Sequence, residues 1–220
     1  MSLQNNKKKE KTSNFLYDFV KVTGAIPTLC WMRPKIRYIS AEAKKQHKGG
    51  FLIASNHVSF TDPITVHHAF WYRRLDMIAT KEIFDTDLKN WFFTRMHCIK
   101  IDRENLTIAS IREVIDRLKE DKAVVIFPEG TVNRSEDELL DFKSGAILMA
   151  HLGGKPIVPI YIAKIDKWTN RRTIVIGEAI NVNDLCGKIP TTDALNKAAL
   201  VLRDKELQLK HYYESEIMKK

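Results

Sequence analysis

The sequence predicts an α/β protein: a mixed, mostly parallel sheet flanked by helices, with an N-terminal amphipathic helical segment. Three observations carry this. Apolar runs of strand length recur from residue 35 onward,. Segments with helical spacing separate most of them, and strands separated by helices assemble into parallel or mixed sheets. The 220 residues suit one domain with a full hydrophobic core, and no internal repeat or linker divides them,.

Residues 1–12 are polar and lysine-rich and read as disordered,. Ser13 or Asn14 can cap a helix that begins at Phe15. Phe15, Leu16, Phe19, Val22 and Ile26 then recur at helical spacing, with Trp31 and Met32 near its end,. Two readings fit this helix. It lies in a membrane interface, its lysine neighbours facing headgroups, or it packs its apolar stripe on the core. The expected strands are 35–39, 51–55, 75–80, 98–102, 123–127, 157–162 and 173–177,. The expected helices are 63–72, 88–96, 106–119, 144–152 and 192–213,.

The formal charge of +9 is unevenly placed. Residues 1–50 carry 11 Lys/Arg against 3 Asp/Glu, whereas residues 51–220 carry 25 against 24. A basic N-terminal segment is drawn to an anionic surface. The near-neutral remainder argues against a nucleic-acid groove, so no nucleic-acid partner is expected. No segment has the roughly 20 apolar residues that a membrane span needs. Lys7-Lys8-Lys9 does not introduce a signal peptide, because Asp18 and Lys21 interrupt the apolar stretch and no small-residue cleavage site follows,. Cys30, Cys98 and Cys186 are widely spaced and odd in number. That pattern fits a reducing, cytosolic setting rather than a disulfide framework.

Polar clusters follow four of the expected strands: His57 and Asp62, Lys81-Glu82, Asp102-Arg103, and Pro128-Glu129-Gly130-Thr131. Ligands of open α/β sheets bind beyond the C-terminal strand ends, so strands sharing a direction would gather these clusters at one edge. Four residues separate His57 from Asp62, a His-x4-Asp spacing. A carboxylate within reach of one ring nitrogen fixes the tautomer and leaves the other nitrogen free to take a proton from a hydroxyl. Nothing nearby reads as a nucleophile, which points to a hydroxyl on the substrate. Arg103 offers a planar fork for phosphate or carboxylate, and Lys81 a point charge for the same anion. Gly130 lets a ligand approach the backbone, and N–H groups near it can join Thr131 in binding an anion. Glu129 can accept a hydrogen bond from a glycerol-like hydroxyl. Each fragment alone is ordinary. An Asp-Arg pair after a strand is usually a surface ion pair, and Pro-Glu-Gly-Thr alone is a turn.

The segment Asn56-His57-Val58-Ser59-Phe60-Thr61-Asp62 resembles the first motif of the glycerolipid acyltransferases, the 1-acylglycerol-3-phosphate acyltransferase group. Ile99-Lys100-Ile101-Asp102-Arg103 resembles their second block, Phe127-Pro128-Glu129-Gly130-Thr131 their third and Ile157-Val158-Pro159-Ile160 their fourth, in the family's order. The resemblance implies transfer of a fatty acyl group from acyl-CoA or acyl-carrier protein to a hydroxyl, with no bound cofactor and no metal. It implies His57 as the base, Asp62 as its holder and no acyl-enzyme. It gives Arg103, Glu129, Gly130 and Thr131 to the glycerol phosphate, with Lys81 as an addition. Two features depart from the pattern. Val132-Asn133 separate Thr131 from Arg134-Ser135, where the family's third block runs from Thr into Arg-Ser. Either Arg134 reaches the phosphate from a longer loop or that contact is absent. A glycine is common in the family near the position of His97.

Other chemistries fit less well. A Gly-x-Ser-x-Gly elbow is missing,. Cys98 and His97 are adjacent on a strand and so point to opposite faces. His67-His68 diverge on a helix and have no third ligand for zinc. The expectation is therefore a lysophosphatidic acid acyltransferase, held peripherally on the cytoplasmic face of a membrane, with an anionic membrane surface and a lysophospholipid acceptor as partners and either acyl-CoA or an acyl-carrier protein as donor. Residues 1–34 would be its basic tail and membrane-contact helix, and residues 35–220 a single α/β acyltransferase domain. The alternatives are an acyltransferase for glycerol-3-phosphate, another lysophospholipid or a lipid alcohol, and a non-catalytic membrane-lipid binding protein.

Overall fold

The computed structural model describes residues 13–45, 48–102, 107–135, 139–165 and 171–218. The lysine-rich residues 1–12 and Arg103 lie outside the described residues. All seven expected strands form: β1 (Lys35–Tyr38), β2 (Phe51–Ser55), β3 (Leu75–Thr80), β4 (Cys98–Ile101), β5 (Ala123–Ile126), β6 (Ile157–Ile162) and β7 (Thr173–Ile176). Four of them stop one residue short of the expected end, so Ile39, Asp102, Phe127 and Gly177 belong to the loops.

The strands form one sheet in the order β1-β7-β6-β2-β5-β3-β4. β2 to β6 all share one direction, with β2 paired in parallel to both β5 and β6. β7 is antiparallel to β6, and β1 is parallel to β7. The outer pair thus runs against the rest, and β7 begins at the edge where β2 and β6 end.

Among the described residues eight α-helices accompany the strands: α1 (Asn14–Met32), α2 (Ala41–Lys45), α3 (Asp62–Ala69), α4 (Asp87–Arg95), α5 (Ile108–Lys119), α6 (Gly145–Gly153), α7 (Val182–Cys186) and α8 (Thr192–Tyr212). Alternate residues of each strand serve opposite faces, as the strand period requires. Leu52, Ala54, Val124 and Ile126 pack with Val114, Leu118, Ile147, Ala150 and Leu202 from α5, α6 and α8. Phe51, Ile53, Leu75, Met77 and Val125 pack on the other side with Val66, Ala69 and Phe70 at α3. The two short helices α2 and α7 lie outside the expected set, since five residues span too few turns to show a period,. The helix expected over 63–72 ends at Ala69.

Ser13 caps α1 by accepting from the Leu16 N–H at 3.2 Å,. The face of α1 that packs on the body is not the apolar stripe. Tyr17, Ala25 and Met32 are buried, and Lys21 donates from Nζ to the carbonyls of Trp71 and Arg73. Tyr17 Oη accepts the Leu75 N–H at 2.7 Å and meets His67 Nδ1 at 3.2 Å, and Thr28 Oγ1 meets His68 Nε2 at 3.0 Å. Phe15, Phe19, Val22, Ile26 and Trp31 point outward, each more than half exposed. Among the described residues no helix is long and apolar enough to cross a membrane.

Candidate active site

Because β2, β3, β4 and β5 are parallel, the segments after them emerge at one edge of the sheet. The first carries His57 and Asp62. Asn56 fixes the exit of β2 by clamping the backbone of Ile162 on β6: its Oδ1 accepts from the Ile162 N–H at 2.7 Å and its Nδ2 donates to the carbonyl at 3.0 Å. The chain then turns into α3, whose first residue is Asp62, followed by Pro63. Proline suits this first turn, where its missing N–H costs no helical bond.

Asp62 is fully buried and is surrounded by donors. Its Oδ2 accepts from His57 Nδ1 at 2.8 Å, from the Val58 N–H at 2.7 Å and from the Ser59 N–H at 2.8 Å. Its Oδ1 accepts from Arg172 Nη1. A carboxylate only accepts, so the imidazole proton sits on Nδ1 and Nε2 is left as the basic atom. Among the described residues no hydroxyl or thiol is hydrogen-bonded to that Nε2. Phe127, just past β5, stacks on the imidazole with ring centroids 4.3 Å apart and 22° between planes.

The loop after β5 folds over the same point. The Gly130 N–H donates to the Phe127 carbonyl at 3.0 Å, and Gly130 has φ +71°, a left-handed conformation that favours glycine,. A Cβ there would lie 3.3 Å from Lys143 Nζ, so the ammonium of Lys143 rests on the glycine turn. The Asn133 N–H donates to the His57 carbonyl at 2.6 Å, and Asn133 is buried. Asn133 thus lies buried against the backbone of His57, and Arg134 is exposed.

Glu129 is buried, and neither of its side-chain oxygens has a close hydrogen-bond partner. Burial pushes its carboxyl up to about 7, against the pull of the backbone N–H groups of His57 and Leu140 and of Arg203, with Asp62 adding to the rise,. Glu206 on α8 is fully buried with both oxygens equally unpartnered. Burial first, and the nearby Glu129 second, hold its carboxyl well above the usual range.

The structure brings His57, Asp62, Glu129 and Gly130 together. Thr131 and Arg134 lie farther along the same loop and are exposed. Lys81 Nζ pairs with Asp102 Oδ2 at 2.8 Å, joining the exits of β3 and β4. Burial pushes the Cys98 thiol up to about 12, the wrong direction for a nucleophile,. Reading the sequence alone missed Arg172, Lys143 and Glu206. Lys143 stands just before the helix expected over 144–152, where no motif marks it. Arg172 and Glu206 lie more than 100 residues beyond the pair, with no local pattern to tie them to it.

A half-buried histidine held by a fully buried carboxylate stands at the C-terminal edge of a mostly parallel sheet, beside a glycine turn, in an α/β protein. A family model described as Acyltransferase matches residues 35–163. The 1-acyl-sn-glycerol-3-phosphate acyltransferase of Bacillus subtilis (strain 168) is 32% identical over 172 residues, covering 73% of this chain and 84% of that one. Its namesake from Streptococcus pneumoniae is 25% identical over 158 residues, covering 71% of this chain and 57% of the relative. The crystal structure of the 1-acyl-sn-glycerophosphate (LPA) acyltransferase PlsC from Thermotoga maritima shares the fold, with a TM-score of 0.63 at 20% identity over 89% of this chain and 78% of that one. The chain belongs to the Acyltransferase family and is an acyltransferase enzyme.

Proposed function

We propose that the protein transfers a fatty acyl group from an acyl thioester to the free hydroxyl of 1-acylglycerol-3-phosphate, giving phosphatidic acid. The observation that carries this is the His57–Asp62 pair, which presents Nε2 with no hydroxyl or thiol bonded to it among the described residues. The attacking oxygen then arrives on the lipid. His57 Nε2 takes the proton of that hydroxyl as the oxygen bonds to the thioester carbonyl carbon. The C–S bond breaks, and the departing thiolate takes the proton back from the imidazolium. Asp62 stabilises the transient imidazolium and holds the ring.

The acceptor phosphate falls to the loop after β5 and its neighbours. The Gly130 turn lets the anion approach the backbone, Thr131 offers a hydroxyl, Lys143 adds an ammonium over the turn, Arg103 contributes by the family resemblance, and Lys81 is an added point charge. Arg134, exposed on the same loop, is a further cation that the acceptor phosphate could recruit. Glu129, largely protonated below about pH 7, can share the pocket with a phosphate without the full repulsion of two anions.

The outward stripe of α1 favours peripheral attachment to a membrane, on the cytoplasmic leaflet where an acyl-CoA or acyl-carrier protein donor is available. A helix with large apolar side chains outward and polar contacts inward suits an interface rather than water. Phe60, 80% exposed between His57 and Asp62, places a further apolar surface beside the base. Residues 1–34 then serve as the membrane-contact segment and residues 35–220 as the acyltransferase domain. The test is an acyl-transfer assay across lysophosphatidic acid, glycerol-3-phosphate and monoacylglycerol, with both acyl-CoA and acyl-carrier protein as donors. Preference for lysophosphatidic acid supports the reading, and equal use of the neutral acceptor contradicts it.

A further inference from the structure

We infer that Arg172 is a positioning residue for the His57–Asp62 pair: it fixes the carboxylate that orients the imidazole and limits the negative charge that carboxylate places on it. The inference rests on the proposed role of His57 as the base. Arg172 immediately precedes β7 and is 3% exposed. Its place follows from the sheet. β7 is the strand that runs against β6, so its first residues reach the edge where β2 and β6 end. The backbone there is pinned from the other side, where the Arg172 carbonyl accepts the Lys35 N–H of β1 at 2.8 Å. One reversed strand thus delivers a cation to the site that the parallel strands build.

The two oxygens of Asp62 have unequal company. Oδ2 takes three donors, all from the loop of the pair itself. Among the described residues Oδ1 takes Arg172 alone. Without the guanidinium, a fully buried carboxylate oxygen loses its partner, and the carboxylate, then held through Oδ2, can tilt about those bonds. The imidazole that hangs from Oδ2 moves with it. A displacement of about 1 Å at a reacting group is enough to cost roughly 10²-fold in rate.

The second effect is electrostatic. A bare carboxylate strongly favours the imidazolium, which is a spent base. A carboxylate shared with a guanidinium favours it less, because part of its charge is offset. Among the described residues the charged groups around His57 come from four places. Asp62 opens α3, Glu129 follows β5 with its carboxyl near the His57 backbone N–H, Lys143 lies over Gly130, and Arg172 immediately precedes β7. Arg172 is the one among them ion-paired to the carboxylate that touches the ring.

The test compares wild type, Arg172→Met and Arg172→Lys by steady-state kinetics and by ¹⁵N-imidazole NMR, with His57 assigned by its missing signal in His57→Gln. For Arg172→Met, kcat is expected to fall about 10²-fold with KM unchanged. The His57 Nδ1–H signal is expected to shift, because the carboxylate that accepts it has lost its second anchor. Arg172→Lys keeps the charge and guards against a neutral variant that does not fold. It is expected to recover part of the kcat lost in Arg172→Met, since the contact to Oδ1 is a single donor that an ammonium can replace in part,. A folded Arg172→Met with an unmoved His57 Nδ1–H signal, an effect confined to KM, or no recovery in a folded Arg172→Lys would overturn the inference. Undiminished acyl transfer by His57→Gln would instead overturn the functional reading, and this inference with it.

Discussion

Phe127 and His57 are stacked, with ring centroids 4.3 Å apart and 22° between their planes. Two segments 70 residues apart in the chain thereby form one wall, because β2 and β5 are parallel neighbours in register. The stack confines the imidazole on the side that the Asp62 hydrogen bond leaves open. Phe127→Ala is expected to lower kcat by about tenfold or more, since a base that swings is seldom in attack geometry. Phe127→Tyr, which keeps the aromatic face, is expected to retain most of the activity. Equal rates for wild type and Phe127→Ala in steady-state assays would count against this role.

The outward face of α1 predicts a binding defect without a folding defect. Phe19 and Ile26 are 57% and 69% exposed, so Phe19→Asp with Ile26→Asp removes little packing. The double variant is expected to keep the wild-type melting temperature and to sediment far less with anionic liposomes. Raising salt is expected to weaken the remaining binding, as the Debye length shrinks to about 3 Å at 1 M. Undiminished liposome binding by the variant would remove α1 from the anchoring surface. Truncating the helix is the poorer experiment, because Tyr17 on its inner face holds the backbone of Leu75.

Lys143 over the Gly130 turn predicts a charge-specific change in acceptor affinity. Lys143→Met is expected to raise KM for lysophosphatidic acid about tenfold, the worth of one hydrogen bond to a charged group. KM for monoacylglycerol is expected to stay the same. A parallel loss with both acceptors would show that Lys143 supports the loop rather than the phosphate.

Glu129 predicts a pH dependence of stability. Its carboxyl is held up at about 7 rather than near 4.5, chiefly by burial. A raised acid binds more protons in the folded than in the unfolded chain between those values. The native state therefore loses stability as pH rises from about 4.5 through 7. Glu206, raised for the same reason, acts in the same direction. Glu129→Gln is expected to flatten this decline by about 3 kcal/mol, because each pH unit between the folded and unfolded values is worth roughly 1.4 kcal/mol. Urea unfolding at about pH 5 and about pH 8 measures it through the extrapolated free energies. The same decline in the two proteins would contradict the assignment.

What the sequence shows and hides follows from range. Strand runs such as Phe51–Ser55 and Ile157–Ile162 are buried on both faces and nearly uninterrupted, so they stand out as short apolar runs,. The pairing of His57 with Asp62 is legible because one turn contains both. The partner of the second Asp62 oxygen is not, since Arg172 reaches it only through the reversal of β7. Helical spacing locates α1 but cannot say which face turns inward. Tyr17, Lys21 and Thr28 decide that, because their polar atoms satisfy backbone and histidine groups on the body. The burial of the Glu129 and Glu206 carboxyls is hidden for a similar reason, since a glutamate on a predicted helix such as α8 normally faces water.

The most direct test of the central claim is the rate of labelled phosphatidic acid formation from lysophosphatidic acid and an acyl thioester, measured for wild type and for His57→Ala. If Nε2 of His57 takes the acceptor proton, the wild type forms the product and the variant falls by roughly 10³-fold or more, with its fold intact by circular dichroism. Product formation by His57→Ala at the wild-type rate would contradict that claim.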